Sequence, residues 1–295
     1  MPISQSQLET WSNQGAVQTA KNTHEAIRRA IDGGTVDASG HSYDVYLQGS
    51  YRNTTNIYGN SDVDVVVEMT DVYTSNTERL NERERELHRQ NHSPAEYGWS
   101  NLRLDVLADL RRYFSVTEGN KSLKVASGSN RLPADVVVCV QHRSYNSYES
   151  SWNNVHHKGI AFWTQTDHER IVNYPKMHYD KGVAKNGQSR TSGNYKAVVR
   201  IFKNVRTALI GTTITADLAP SYFVECLLSN VPDWLFVGTY STAVPAIMDY
   251  LAQADYEGWK CGNGLQFLFG HRDFQWSEAS ARSVSRKLIE LWNNS

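Results

Sequence analysis

Short apolar runs rich in valine recur through the first half of this chain, whereas apolar positions three and four apart dominate its last third. The runs predict strands around 43–48, 63–68, 121–126 and 135–141. The last is the β-branched stretch Asp135-Val136-Val137-Val138-Cys139-Val140, which follows Pro133 and reads as a central buried strand. Charged or amphipathic helices separate the second strand from the third. One of them, Glu78 to Arg89, alternates Glu with Arg and reads as an exposed helix that binds no ligand. At the start of the chain, Gln5 to Ile31 reads as one long helix stopped by Gly33-Gly34, with Leu8, Trp11, Val17, Ala20 and Ile27 among its apolar positions. Past residue 190 the spacing predicts helices over 194–210, 219–230, 241–254 and 278–293. In the first of these, Val198, Ile201, Phe202, Val205 and Leu209 form a buried stripe. Lys196, Arg200 and Lys203 share another face, which Arg206 extends, and no acidic residue lies between Tyr195 and Ile210. Such a line is either a solvated helix face or an anion-binding one.

The pattern predicts an α+β, bilobed architecture: a catalytic lobe on a mixed sheet over residues 1–165, a helical lobe over 166–295, and a site in the cleft between them. A hydrophobic content of 40% and a charged content of 21% suit a chain that buries a substantial core. No run approaches the ~18 apolar residues that cross a bilayer, and Met1-Pro2-Ile3-Ser4-Gln5 is no secretory signal, so no membrane partner is expected. Cys139, Cys226 and Cys261 are odd in number and far apart, which fits a reduced cytoplasm and not a disulfide framework. Lys plus Arg number 30 against 31 for Asp plus Glu, whereas proteins that track long nucleic acids usually carry a basic excess. A small charged nucleotide needs only a local cationic pocket.

Candidate chemistry concentrates in Leu47-Gln48-Gly49-Ser50-Tyr51-Arg52-Asn53-Thr54-Thr55 and in Ser61-Asp62-Val63-Asp64-Val65-Val66-Val67. A Gly-Ser turn lets backbone N–H groups approach a triphosphate, because Gly49 has no Cβ to block it; Ser50 adds a hydroxyl, and Gln48 beside them is a nucleotide-binding candidate with Gly49 and Ser50. Asp62 and Asp64 project from one face of a strand. Two carboxylates so close repel unless a cation lies between them, and Mg²⁺, a hard ion that bridges carboxylates to substrate phosphates, is the natural candidate, with Mn²⁺ as a substitute. Asp135 supplies a third carboxylate. Alone it reads as a strand-end or turn aspartate, but the Gly-Ser and Asp-x-Asp context makes it the third metal ligand. Two ions would then serve, one activating an attacking hydroxyl and the other holding the triphosphate and its leaving pyrophosphate. His142, His156 and His157 lack zinc-ligand spacing and read as surface or loop residues. Tyr51 is one aromatic available to stack on a base.

The Gly49-Ser50 pair, Thr55, Asp62-x-Asp64 and the later strand aspartate resemble the DNA polymerase beta-like nucleotidyltransferases. Within that superfamily the chain is most similar to the bacterial cGAS/DncV-like nucleotidyltransferases, or CD-NTases, of CBASS anti-phage systems. The similarity continues through Ile171-Val172-Asn173-Tyr174-Pro175-Lys176-Met177-His178, Tyr195-Lys196, Arg200-Ile201-Phe202-Lys203-Asn204-Val205-Arg206 and Ala219-Pro220-Ser221-Tyr222-Phe223-Val224-Glu225. Thr54 departs from the pattern, since many members have glycine before the threonine matched by Thr55. The resemblance implies that Lys203 contacts the triphosphate, that Ser221 helps hold it, and that the first helix braces both lobes. From the residues alone, a serine after Pro220 could equally cap a helix.

The resemblance further implies a Mg²⁺-dependent synthase that joins two or three nucleoside triphosphates, by family tendency purines and of cyclic GMP-AMP type, into a cyclic messenger read by an effector encoded elsewhere. Asp62, Asp64 and Asp135 would hold the metals. An oligonucleotide or RNA-tailing transferase would need the same triad, and a non-catalytic nucleotide-binding regulator is the non-enzymatic alternative.

Overall fold

The computed structural model describes residues 3–59, 62–272 and 275–294. Its seven-stranded sheet comprises β1 (Tyr43–Leu47), β2 (Val63–Asn76), β3 (Val116–Glu118), β4 (Leu123–Val125), β5 (Ala134–Tyr148), β6 (Asn154–Trp163) and β7 (Arg170–Asn173). The order β1-β2-β5-β4-β3 is mixed, because β2 and β5 run parallel while their other partners are antiparallel, and β6 and β7 continue from the far half of β5. Alternation sorts the strands' two faces. Val63, Val65, Val67, Val136, Val138 and Val140 pack with Ile27, Ile31, Leu102, Val106 and Leu110, from the helices Gln18–Ile31 and Trp99–Arg111. Val66, Val137 and Cys139 face the opposite way and pack with Ile160 and Phe162.

The strands expected near 43–48, 63–68, 121–126 and 135–141 are all present, and β2 and β5 run well beyond the predicted apolar stretches. Their extensions are polar, and a bulge between Met69 and Tyr73 resets the register there. His142, His156 and His157 consequently lie on strands and not in loops, with His142 buried and bonded to Thr74 Oγ1.

The long first helix is not continuous. It is two helices, Gln5–Ser12 and Gln18–Ile31. The break has a tertiary cause: a Cβ at Gly15 would stand 2.5 Å from the Ile57 carbonyl oxygen, and the Gly15 N–H donates to Asn56 O at 3.1 Å. Close backbone approach of this kind needs glycine and an open, non-helical segment. Backbone packing divides the chain into two compact units, one comprising Met1–Ala16, Arg52–Asn60 and Lys176–Ser295, the other Val17–Tyr51 and Ser61–Pro175. The first unit therefore draws in two short upstream segments, and its main boundary falls at residue 175/176, compared with the 165/166 read from sequence. The two parts of the split helix belong to different units.

The first unit is helical. The helix Tyr195–Leu209 buries Val198, Ile201, Phe202, Val205 and Leu209, each at most 2% exposed, as its periodicity demands. Around it pack Ser221–Ser229, Tyr240–Gln253 and Glu278–Asn294, close to the predicted spans, through Phe223, Leu227, Val244, Ile247, Val284 and Leu288. A helix at Pro175–Lys185 was not predicted. All three cysteines are buried free thiols, and among the described residues no helix is long and apolar enough to cross a membrane.

Candidate active site

In the sheet-containing unit, backbone pairing dictates the position of the candidate carboxylates. Asp64 on β2 and Asp135 on β5 are register partners in the parallel ladder. Partners on one rung of a parallel pair point their side chains to the same face, so the two carboxylates stand side by side at the mouth of the face that holds Val66 and Val137. Asp62 precedes β2 and is exposed, two residues before Asp64. Ser61 lies outside the described residues. Ser122 donates its hydroxyl to Asp135 Oδ1 at 2.9 Å, which fixes that carboxylate and leaves Oδ2 for a ligand or a proton.

The Gly-Ser turn is locked to the same strand. The Gln48 N–H donates to Asp64 O at 2.9 Å, and the chain then turns through Gly49 at φ 63° into the short helix Gly49–Asn53. A Cβ at Gly49 would fall inside 3.0 Å of Asp64 Oδ2. The glycine is thus required twice, by its left-handed backbone and by the carboxylate against which it lies. Ser50 is half-buried beside it. Tyr51 belongs to the sheet core at 7% exposure, and burial, with help from Asp62 and Asp64, pushes its phenol up. That placement removes it from the aromatics available to stack on a base.

Among the described residues no three His, Cys, Asp or Glu side chains gather into a metal cage. The donor set nevertheless fits a hard divalent ion. Mg²⁺ commonly takes one or two carboxylates and completes its octahedron with water and substrate phosphate oxygens.

The helical unit holds the other two candidates. Ser221 is the first residue of its helix; Pro220 occupies the capping position, and among the described residues no side chain caps that end. Lys203 is 2% exposed, with its ammonium bonded to Glu225 Oε1 and 3.3 Å from Thr55 Oγ1. Glu225 is the hub of this buried network, accepting also from Thr55 Oγ1 at 2.8 Å, Asn53 Nδ2 at 3.3 Å and His178 Nε2 at 3.2 Å. Burial alone would raise the Glu225 carboxyl, but Lys203 and His178 together hold it far below the usual carboxylate range. Sequence reading missed Glu225 because its partners come from three separated segments. The one available signal was a glutamate at the buried position of an otherwise apolar helix, Ser221–Ser229.

Thr54, where a glycine is common in the resembling family, keeps the glycine-like conformation at φ 57°. A β-branched residue there is strained. Two bonds hold it: its carbonyl accepts from Arg200 Nη1, and its hydroxyl donates to Asn53 O at 2.6 Å.

A mixed sheet that sets two aspartates on one rung against a Gly-Ser turn, in a chain completed by a helical unit, defines a nucleotidyltransferase. The family model of the cGAS/DncV-like nucleotidyltransferase C-terminal helical domain matches residues 180–293. The cyclic UMP-AMP synthase of Rhodothermus marinus is 44% identical over 99% of this chain and 98% of that protein. A cyclic dipurine nucleotide synthase of Elizabethkingia meningoseptica is 33% identical over 92% of each. The solved structure of the Rhodothermus marinus CdnE c-UMP-AMP synthase with Apcpp and Upnpp superposes with a TM-score of 0.87 at 42% identity, covering 99% of this chain and 97% of that one. The chain belongs to the cGAS/DncV-like nucleotidyltransferases, in the CdnE family, and is a cyclic nucleotide synthase.

Proposed function

We propose that this enzyme condenses UTP and ATP into a cyclic UMP-AMP-type dinucleotide, releasing two pyrophosphates, and that the product signals to a separately encoded effector in anti-phage defence. Full-length identity of 44% to a cyclic UMP-AMP synthase is the observation that carries the choice of bases. A purine-only product, of cyclic GMP-AMP type, is the second reading, favoured by the 33% identity to a dipurine synthase. The two differ in whether uridine enters the ring.

The chemistry rests on the Asp64–Asp135 rung. Asp62, Asp64 and Asp135 would hold two Mg²⁺ ions, which when bound lower the pKa of the attacking ribose hydroxyl and neutralise charge on the triphosphate. Asp135 Oδ2, with Oδ1 occupied by Ser122, is the basic atom offered to the hydroxyl proton. Gly49 and Ser50 cradle phosphate oxygens through backbone N–H groups and one hydroxyl, whereas Gln48, its N–H spent on Asp64 O, reaches them only through its side-chain amide. The hydroxyl oxygen of one nucleotide bonds to the α-phosphorus of the other as its bond to pyrophosphate breaks. The linear product repeats the step on its own remaining triphosphate. Ser221 offers its hydroxyl to the phosphates. Lys203 touches them directly only by exchanging Glu225 for a phosphate oxygen; while that pair persists, its role is to hold Glu225 and Thr55.

The test is mass spectrometry of products from the purified protein with Mg²⁺ and all four ribonucleoside triphosphates, beside Asp62→Ala and Asp64→Ala. A cyclic product containing U and A from wild type alone is expected. Turnover retained in either variant refutes the carboxylate roles. Extension of added RNA would point to a tailing transferase, and nucleotide binding without turnover to a regulator.

A further inference from the structure

The cationic line along the helix Tyr195–Leu209 separates, in the folded protein, into spent and unspent charges. Arg200 donates to the carbonyls of Ser12 and Thr54, Arg206 to those of Ala219 and Ala216, and Lys203 to Glu225. Lys196 is different. Its ammonium lies 5.3 Å from the centre of the Tyr179 ring, and the Arg52 guanidinium lies 4.6 Å from the same centre. Among the described residues neither side chain makes a hydrogen bond or an ion pair, and Asp180, next in the chain to Tyr179, bonds neither of them. Glu225, the buried carboxylate of this unit, is already saturated by four donors.

Two cations held to one neutral ring repel each other, and a cation–π contact, worth only ~0.5–1 kcal/mol at a partly exposed site, does not neutralise either. Both are half-buried. Burial, followed by the neighbouring Arg200, outweighs the attraction of Glu225 and depresses the Lys196 ammonium below its ordinary value, so an arriving anion would relieve an existing strain on its charge. The chemistry of the pair selects the anion. A guanidinium forks onto two phosphate oxygens, and a lysine supplies a mobile point charge for a third. Arg52 also lies two residues after Ser50, on the short helix that begins at Gly49.

We infer that Lys196 and Arg52, steadied by Tyr179, form the cationic seat for the polyphosphate tail of a substrate nucleoside triphosphate. This inference rests on the proposed function above and assigns phosphate recognition in the helical unit to these two residues, leaving Lys203 a positioning residue.

The experiment uses the full chain and inorganic tripolyphosphate as probe, with calorimetric titration of wild type, Arg52→Gln, Lys196→Gln, the double variant, and the charge-keeping Arg52→Lys and Lys196→Arg. Each Gln substitution is expected to weaken tripolyphosphate about 10-fold and the double variant roughly 100-fold, with Lys196→Arg close to wild type and Arg52→Lys, which keeps the charge but loses the fork, between wild type and Arg52→Gln. KM for ATP and UTP should rise more than kcat falls, while adenosine binding is unmoved. Tripolyphosphate affinity in the double variant within about twofold of wild type, at unchanged melting temperature, overturns the inference. So does equal weakening in the charge-keeping variants, which would mark a packing role. Failure of the parent reading looks different: no cyclic product from wild type, whatever Lys196 and Arg52 do to tripolyphosphate.

Discussion

Gly49→Ala is the most searching single substitution in the catalytic unit, because it adds one methyl group and nothing else. At φ 63° the alanine sits in the left-handed region, a conformation that costs an L-residue roughly 1–2 kcal/mol. The new Cβ also falls within 3.0 Å of Asp64 Oδ2, and normal van der Waals separation requires the carboxylate to retreat by roughly 1 Å. Backbone ladders on both sides hold the Asp64 main chain, so the side chain must do the moving. A misplacement of about 1 Å in a reacting constellation costs on the order of 100-fold in rate. Pyrophosphate release under saturating nucleotide and Mg²⁺ should therefore show kcat lowered about 100-fold, with a melting temperature only a few degrees below wild type. Ser50→Ala, which removes one hydroxyl donor and leaves Asp64 alone, should cost roughly 10-fold. A Gly49→Ala enzyme whose kcat stays within about threefold of wild type would refute the claim that the turn and the carboxylate are mutually fitted.

Ser122→Ala removes the donor that fixes Asp135 Oδ1 and should lower kcat on the order of 10-fold with KM for nucleotides little changed; a KM effect alone would contradict the assignment. Lys203→Met strands the buried Glu225 carboxylate and should destabilise by roughly 3–5 kcal/mol in urea titrations, whereas adding Glu225→Gln should recover most of that loss. Because Glu225 is depressed in the folded state, its contribution is full above the unfolded value near 4.3 and disappears as pH falls below it; the Glu225→Gln protein should show a flatter stability profile in that acid range. Thr54→Asn keeps the left-handed backbone with a residue that tolerates it and should stabilise by about 1 kcal/mol, read as a rise in melting temperature, while Thr54→Val should give no gain.

Local pattern made the strands and helices legible wherever burial follows the chain's own period. The valine runs of β2 and β5 and the stripe from Val198 to Leu209 are buried as their spacing demands. What escaped were contacts between distant segments. Nothing near Gly15 says that Ile57 will press against it, so two helices read as one. Lys203, Arg200 and Arg206 looked alike on a helix face, and only partners as remote as Glu225, Ser12 and Ala219 distinguish them. The β5–β6 ribbon escaped for another reason: its residues from His142 to Tyr148 are mostly polar, so hydrophobic alternation had little to register.

Because Asp64 and Asp135 are neighbours on a hydrogen-bonded rung, their separation is a property of the backbone ladder and not of the roughly seventy residues of chain that connect them. A slip of one residue would carry one carboxylate to the opposite face, so the pairing works as an all-or-none register. Loops between the two strands can lengthen or shorten without altering the carboxylate spacing, provided that the rung re-forms and that β4, whose Lys124 pairs with Asp135, and the Ser122 hydroxyl keep their places. A one-residue insertion inside β2 or β5 should therefore be far more damaging than one in a loop away from Ser122 and β4.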